Sequence, residues 1–135
     1  MSGTIDMAKA RNLLNGFSKE AELLMSDPSR VEDLLRKAEQ MLKEIPAVGA
    51  TLSRLPLMIS LIRAYIRREY DFVSARVIVT MLCAVIYLLK GKDLIPDRTS
   101  ILGYADDIAV IAAALRIVEP EMDAYSRWRE ERAGS

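Results

Sequence analysis

The sequence predicts an all-α protein, a small helical bundle of about five to six helices around a central apolar helix near residues 74–89. Three observations predict it. Apolar residues recur at helical spacing along most of the chain. No stretch shows the alternation of a half-buried strand. The longest apolar run, VIVTMLCAVIYLL from Val77 to Leu89, lies between Arg76 and Lys90 and holds one polar residue, Thr80. At 135 residues the chain is most simply one domain, 1–135, with a helical hairpin over 1–45, a core over 50–118, and a short helix and tail over 119–135.

The first helix follows from Leu13, Leu14, Phe17, Ala21 and Leu24, which share one helical face beginning near Ala10. Asp27-Pro28 then punctuates the chain, with Asp27 as an N-cap and Pro28 in the tolerated first-turn position. The second helix has the cleanest stripe: Val31, Leu34, Leu35, Ala38, Met41, Leu42 and Ile45. It stops near Ile45, because Pro46 disfavours helical geometry in the residue before it. IPAVGATLSRLP is a linker or a kinked entry to a third helix carrying Met58, Ile59, Ile62, Tyr65 and Ile66. Arg63, Arg67 and Arg68 cluster at its C-terminal end, where cations favour the helix dipole.

A fourth helix runs from about Ser74 to Leu89. Arg76, Thr80, Cys83, Tyr87 and Lys90 fall on one line along it, a narrow polar seam on an otherwise apolar cylinder. A fifth helix runs from about Tyr104 to Val118, and Glu119-Pro120 opens a short polar last helix containing Trp128.

Composition excludes several function classes. Lysine plus arginine equals aspartate plus glutamate, 19 each, so no net charge draws the chain to nucleic acid. Histidine is absent, which removes the commonest general base and the commonest transition-metal ligand. The single cysteine, Cys83, sits in an apolar run and reads as a buried structural thiol. MSGTIDMAKARNLL lacks the apolar core and cleavage site of a secretory signal, so a cytoplasmic location is the expectation. As a helix, Val77–Leu89 would span only about 20 Å against a hydrocarbon core of about 30 Å, which favours a bundle core over a membrane span. A peripheral membrane contact through Arg63, Arg67 and Arg68 remains the alternative.

Chemistry concentrates between the two most apolar helices. Asp93, Pro96 and Asp97 precede Gly103, Tyr104, Asp106 and Asp107. Ile95 should be extended before Pro96, which assigns Asp93 and Asp97 to a loop. Gly103 suits a close approach before the fifth helix, and Asp106 and Asp107 fall near its first turn, where carboxylates favour the dipole. Three readings compete. In the structural one, Asp106 caps the helix, and Asp107 accepts from Tyr87, Arg63 or Arg76. Charge supports it: Pro46–Arg76 carries five arginines against two acids (+3), and Val77–Ala124 four basic against seven acidic residues (−3). In the second, Asp93, Asp97, Asp106 and Asp107 converge on Mg²⁺ or Ca²⁺, which suit an all-oxygen ligand set. In the third, such a metal or a carboxylate pair is hydrolytic.

The segment IYLLKGKDLIPDRTSILGYADDIAVIAAAL resembles the signature of the bacterial YkvA-like family, domain of unknown function 1232, which is often described as membrane-associated. The pattern is an aromatic residue, then Asp-Leu-Ile-Pro-Asp, then Gly-Tyr-x-Asp-Asp opening an apolar helix. Tyr87, Asp93 to Asp97, and Gly103 to Asp107 match it, and the resemblance spans about Ser74 to Leu115. Lys90-Gly91-Lys92 and Arg98-Thr99-Ser100 stand where the family has prolines, so this corner is more polar than the family's.

Residues and resemblance together lead to the expectation of a non-catalytic interaction module, not an enzyme. It would bind a protein partner as an adaptor or inhibitor, with no cofactor, no metal and no specified oligomeric state. The alternatives are a peripheral membrane-associated protein and a Mg²⁺- or Ca²⁺-binding protein or hydrolase.

Overall fold

The computed structural model describes residues 7–44, 53–94 and 101–133; side chains at 7, 44, 90–94 and 101–108 lie outside the description. The described residues form seven α-helices and no strand: α1 (Met7–Asn15), α2 (Ser18–Met25), α3 (Pro28–Glu44), α4 (Leu55–Ile66), α5 (Ala75–Leu94), α6 (Ile101–Ile117) and α7 (Glu119–Ala133). The all-α expectation holds.

The count exceeds five to six because the N-terminal run is two helices. Asn15-Gly16 interrupts it: glycine has the least helical preference of any residue but proline. Ser18 Oγ donates to the Asn15 carbonyl at 2.8 Å, which satisfies a C-terminal acceptor of α1. Phe17, at the break, turns inward and meets the Tyr87 ring edge-on, with centroids 6.0 Å apart.

The helix α3 starts as its sequence requires. Pro28 is its first residue, and the Arg30 N–H donates to Asp27 Oδ1 at 3.4 Å, a long capping bond. Of its stripe, Val31, Leu35, Ala38 and Met41 are buried and Leu34 and Leu42 half-buried; Ile45 lies outside the described residues.

The central element is α5, which packs against α1, α2, α3, α4 and α6. Ile78 and the run from Met81 to Ile86 are buried on every side, so no face of this stretch is left for water. That is what an all-round apolar helix requires. Its polar seam is answered locally: Thr80 Oγ1 donates to the Arg76 carbonyl at 3.1 Å, and Cys83 is 2% exposed. Among the described residues no buried side chain is polar or charged.

Two boundaries depart from expectation. The helix α5 continues to Leu94, through Lys90-Gly91-Lys92, so Asp93 lies in its last turn and not in a loop. Pro96 restricts the residue before it and nothing earlier. The helix α6 starts at Ile101, so Gly103, Tyr104, Asp106 and Asp107 are inside it. No acidic residue stands in its first turn, and Asp106 is therefore not its N-cap.

The helix α4 ends in a Schellman motif. The Glu69 N–H donates to the Ala64 carbonyl at 2.8 Å and the Arg68 N–H to the Tyr65 carbonyl at 3.0 Å. Arg68 occupies the left-handed position at φ 64°, where glycine is usual and an L side chain costs about 1–2 kcal/mol. Tyr70 then plunges inward and anchors α7 through ring contacts with Tyr125 and Trp128 at 5.0 and 4.8 Å. Arg54, at the start of α4, pairs with Asp123 of α7 at 2.9 Å.

Leu35, fully buried between α3 and its neighbours, tests this packing. Leu35→Ala should lower unfolding stability by about 2–5 kcal/mol in urea titration, with the helical circular dichroism of the native state retained.

Candidate functional site

The sequence singles out two places, the aspartate corner and the arginine end of α4. The structure brings the second together in detail. Glu32 and Glu39 stand two turns apart on α3, on the flank that faces α4. Arg63 reaches between them. Its Nε donates to Glu32 Oε1 and Oε2 at 3.0 and 3.1 Å, and Nη1 and Nη2 donate to Glu39 Oε2 and Oε1 at 3.0 and 3.1 Å. Nη2 also lies 2.9 Å from Glu32 Oε2. One guanidinium thus bridges two carboxylates, the geometry for which arginine is suited.

Arg67 approaches Glu32 at 3.8 Å and Arg36 approaches it at 3.9 Å. Hydrogen bonding from Arg63 holds the Glu32 carboxyl below its ordinary 4.5, against the opposing effect of burial, and the charges of Arg63, Arg67 and Arg36 add to it. The two glutamates and the arginine are mutually satisfied, so this cluster is a clamp between helices and not a reactive centre.

The Nε, Nη1 and Nη2 donors of Arg63 are thus directed to α3. Its side chain is only 22% exposed, drawn down by two carboxylates. Arg67 is partly engaged, and Arg68 is exposed beyond the helix end. Among the described residues, the opposed charge segments pair where Arg54 meets Asp123 and, at 3.8 Å, Glu119. The larger positive cluster instead meets the N-terminal hairpin. Glu32 and Glu39 are not singled out by the sequence; only the docking of α4 shows what they hold.

At the aspartate corner, Tyr87 is half-buried on α5 with Phe17 against its ring. The backbone places Asp93 on α5 and Gly103, Tyr104, Asp106 and Asp107 on α6. Pro96 and Asp97 lie outside the described residues, as do the side chains of all these aspartates. Among the described residues, no three His, Cys, Asp or Glu side chains form a metal-holding group.

A second feature was not foreseen. Met25 and Pro28, at the α2–α3 corner, face Tyr65, Ile66, Arg68 and Asp71, at the α4–α5 corner, across a half-open groove of about 390 Å³. Phe72, next in the chain, is 74% exposed.

The segment that holds the aspartate corner has known relatives. Residues 77–113 match a family described as protein of unknown function (DUF1232). Over 78 residues, 58% of this chain and 74% of the relative, the sequence is 23% identical to a Bacillus subtilis (strain 168) protein called uncharacterized membrane protein YkvA. No solved structure matches significantly. Residues 77–113, which comprise most of α5 and the first three-quarters of α6, are thus similar to this YkvA-like family, as the aspartate pattern indicated. Among the described residues, no helix is long and apolar enough to cross a membrane.

The clamp and the buried thiol can both be tested. Glu32→Gln should lower stability at neutral pH by about 1–3 kcal/mol, because Arg63 loses a charged acceptor. A carboxyl held below its unfolded value stabilises fully above that value and loses its effect as pH falls through the folded one. The gap between wild type and Glu32→Gln should therefore close below pH 4.5 in thermal melts across an acid series. Cys83, its thiol pushed up to about 11 chiefly by burial and then by Glu22 and Glu20, should react with a disulfide reagent at neutral pH only as fast as the chain opens.

Proposed function

We propose that the protein is a non-catalytic helical module that binds a protein partner. The observation that carries this reading is the placement of its apolar groups. Every described buried side chain is apolar, and the described side chains of the YkvA-like segment are largely enclosed by the other helices. Yet Leu23 on α2 is left 71% exposed, on the outer surface of the helices that cover α5. The segment that resembles the family supplies the frame, and the surface of the N-terminal helices is the part left to meet something else. An isolated exposed leucine is ordinary; one on a short helix whose other face covers the core is a candidate contact.

Affinity capture from the native cell, with wild type and Leu23→Ser side by side, tests it. The expected result is a stoichiometric partner held by wild type and lost with Leu23→Ser, while the melting temperatures of the two agree. Capture of nothing by wild type, or of the same proteins by both, contradicts it.

The relative's name supports a second reading, association with a membrane surface. Arg67 and Arg68 would supply the attraction to anionic headgroups, since Arg63 is engaged with Glu32 and Glu39. That reading expects cosedimentation with phosphatidylserine vesicles that weakens as salt rises. A protein that stays in the supernatant at low salt contradicts it.

A further inference from the structure

The groove between the α2–α3 and α4–α5 corners has three properties that belong together. Its walls are largely apolar, from Met25, Pro28, Tyr65 and Ile66. It also carries one cation and one anion, Arg68 and Asp71, and among the described residues neither has an ion-pair partner. An exposed aromatic side chain, Phe72, follows Asp71 in the same short connection.

The occupant follows from these. A small molecule is a poor fit, because pockets that hold one bury most of its surface, and this groove is half open. An anionic lipid surface would favour Arg68 but be repelled by Asp71. A second copy of this chain satisfies everything at once. In a two-fold contact the same patch meets itself, so residue i meets j while j meets i. Arg68 of each chain then meets Asp71 of the other, and each exposed Phe72 has an apolar groove to enter.

Arg68 adds an independent observation. It holds the left-handed position that ends α4, where glycine would cap the helix without strain. A strained residue at such a site directs attention to its side chain. Here that residue lines the groove.

We propose that the groove formed by Met25, Pro28, Tyr65, Ile66, Arg68 and Asp71, with Phe72 as the inserting side chain, is the interface of a two-fold symmetric homodimer. The dimer is independent of the partner-binding reading above, which rests on Leu23.

Charge reversal tests it. Light scattering on size-exclusion chromatography should give wild type twice the 15.1 kDa of one chain at about 100 µM. Arg68→Asp leaves two anions on the patch and Asp71→Arg leaves two cations, so each variant alone should be monomeric. An equimolar mixture should restore the dimer, now as a heterodimer, because the doubly anionic patch of one variant faces the doubly cationic patch of the other. Aspartate tolerates the left-handed position, so Arg68→Asp should remain folded, as melting confirms. Phe72→Ala should weaken dimerisation by at least about tenfold. Arg68→Gly should raise the melting temperature of dilute protein by about 2–5 °C while weakening the dimer. Monomeric wild type, single variants that keep the wild-type mass, or a mixture that stays monomeric would each overturn the proposal.

Discussion

The described fold is arranged around the fact that one stretch of α5 has no side it can show to water. From Met81 to Ile86 every residue of α5 is buried, and five other helices pack against it. A helix apolar on one stripe can lie on a surface; a helix apolar all round must be enclosed. The N-terminal hairpin, α4 and α6 are the enclosure. Each brings an apolar face, such as Val31, Leu35 and Ala38 of α3 or Met58, Ile59 and Ile62 of α4.

Enclosure sets the directions of the helices, and the charged groups then fix which neighbours meet. Arg63 lies between Glu32 and Glu39, and Arg54 between Glu119 and Asp123, so α4 is tied on one side to α3 and on the other to α7. Partly buried pairs of this kind contribute modestly to stability but strongly disfavour other arrangements, since breaking one leaves a charge without an answer. The Ser60 and Tyr125 hydroxyls, 2.6 Å apart, reinforce the α4–α7 contact. Once Arg63 is held at α3, the arginine end of α4 has only Arg67 and Arg68 near solvent, and only Arg68 lines the groove.

Much of the fold was legible because it is local. The stripe of α3, the Asp27-Pro28 start and the all-round apolarity of α5 are properties of contiguous residues, and they formed the expected helices. The break at Gly16 was missed because Leu14, Phe17 and Ala21 keep helical spacing across it; the interruption lies in the backbone and not in the apolar pattern. The boundary of α5 was set too early, since Lys90-Gly91-Lys92 reads as a loop by composition but continues the helix. The site was less legible. The aspartate pattern correctly indicated the YkvA-like segment, while its side chains at 93–107 lie outside the described residues. The partners of Arg63 could not be read at all, because they lie 24 and 31 residues away in sequence, on α3. The groove likewise joins two corners with no sequence signal linking them.

The central claim is that the YkvA-like helix α5 is interior framework, held by the N-terminal hairpin in one cooperative unit. Native-state hydrogen exchange on the whole chain measures this directly. Amides of Ile78–Ile86 and of Leu35–Met41 should exchange with one common opening free energy, equal to that of global unfolding. Exchange of the α3 amides through a separate, much lower-energy opening, with α5 still protected, would show that the hairpin is a loose cover and contradict the account.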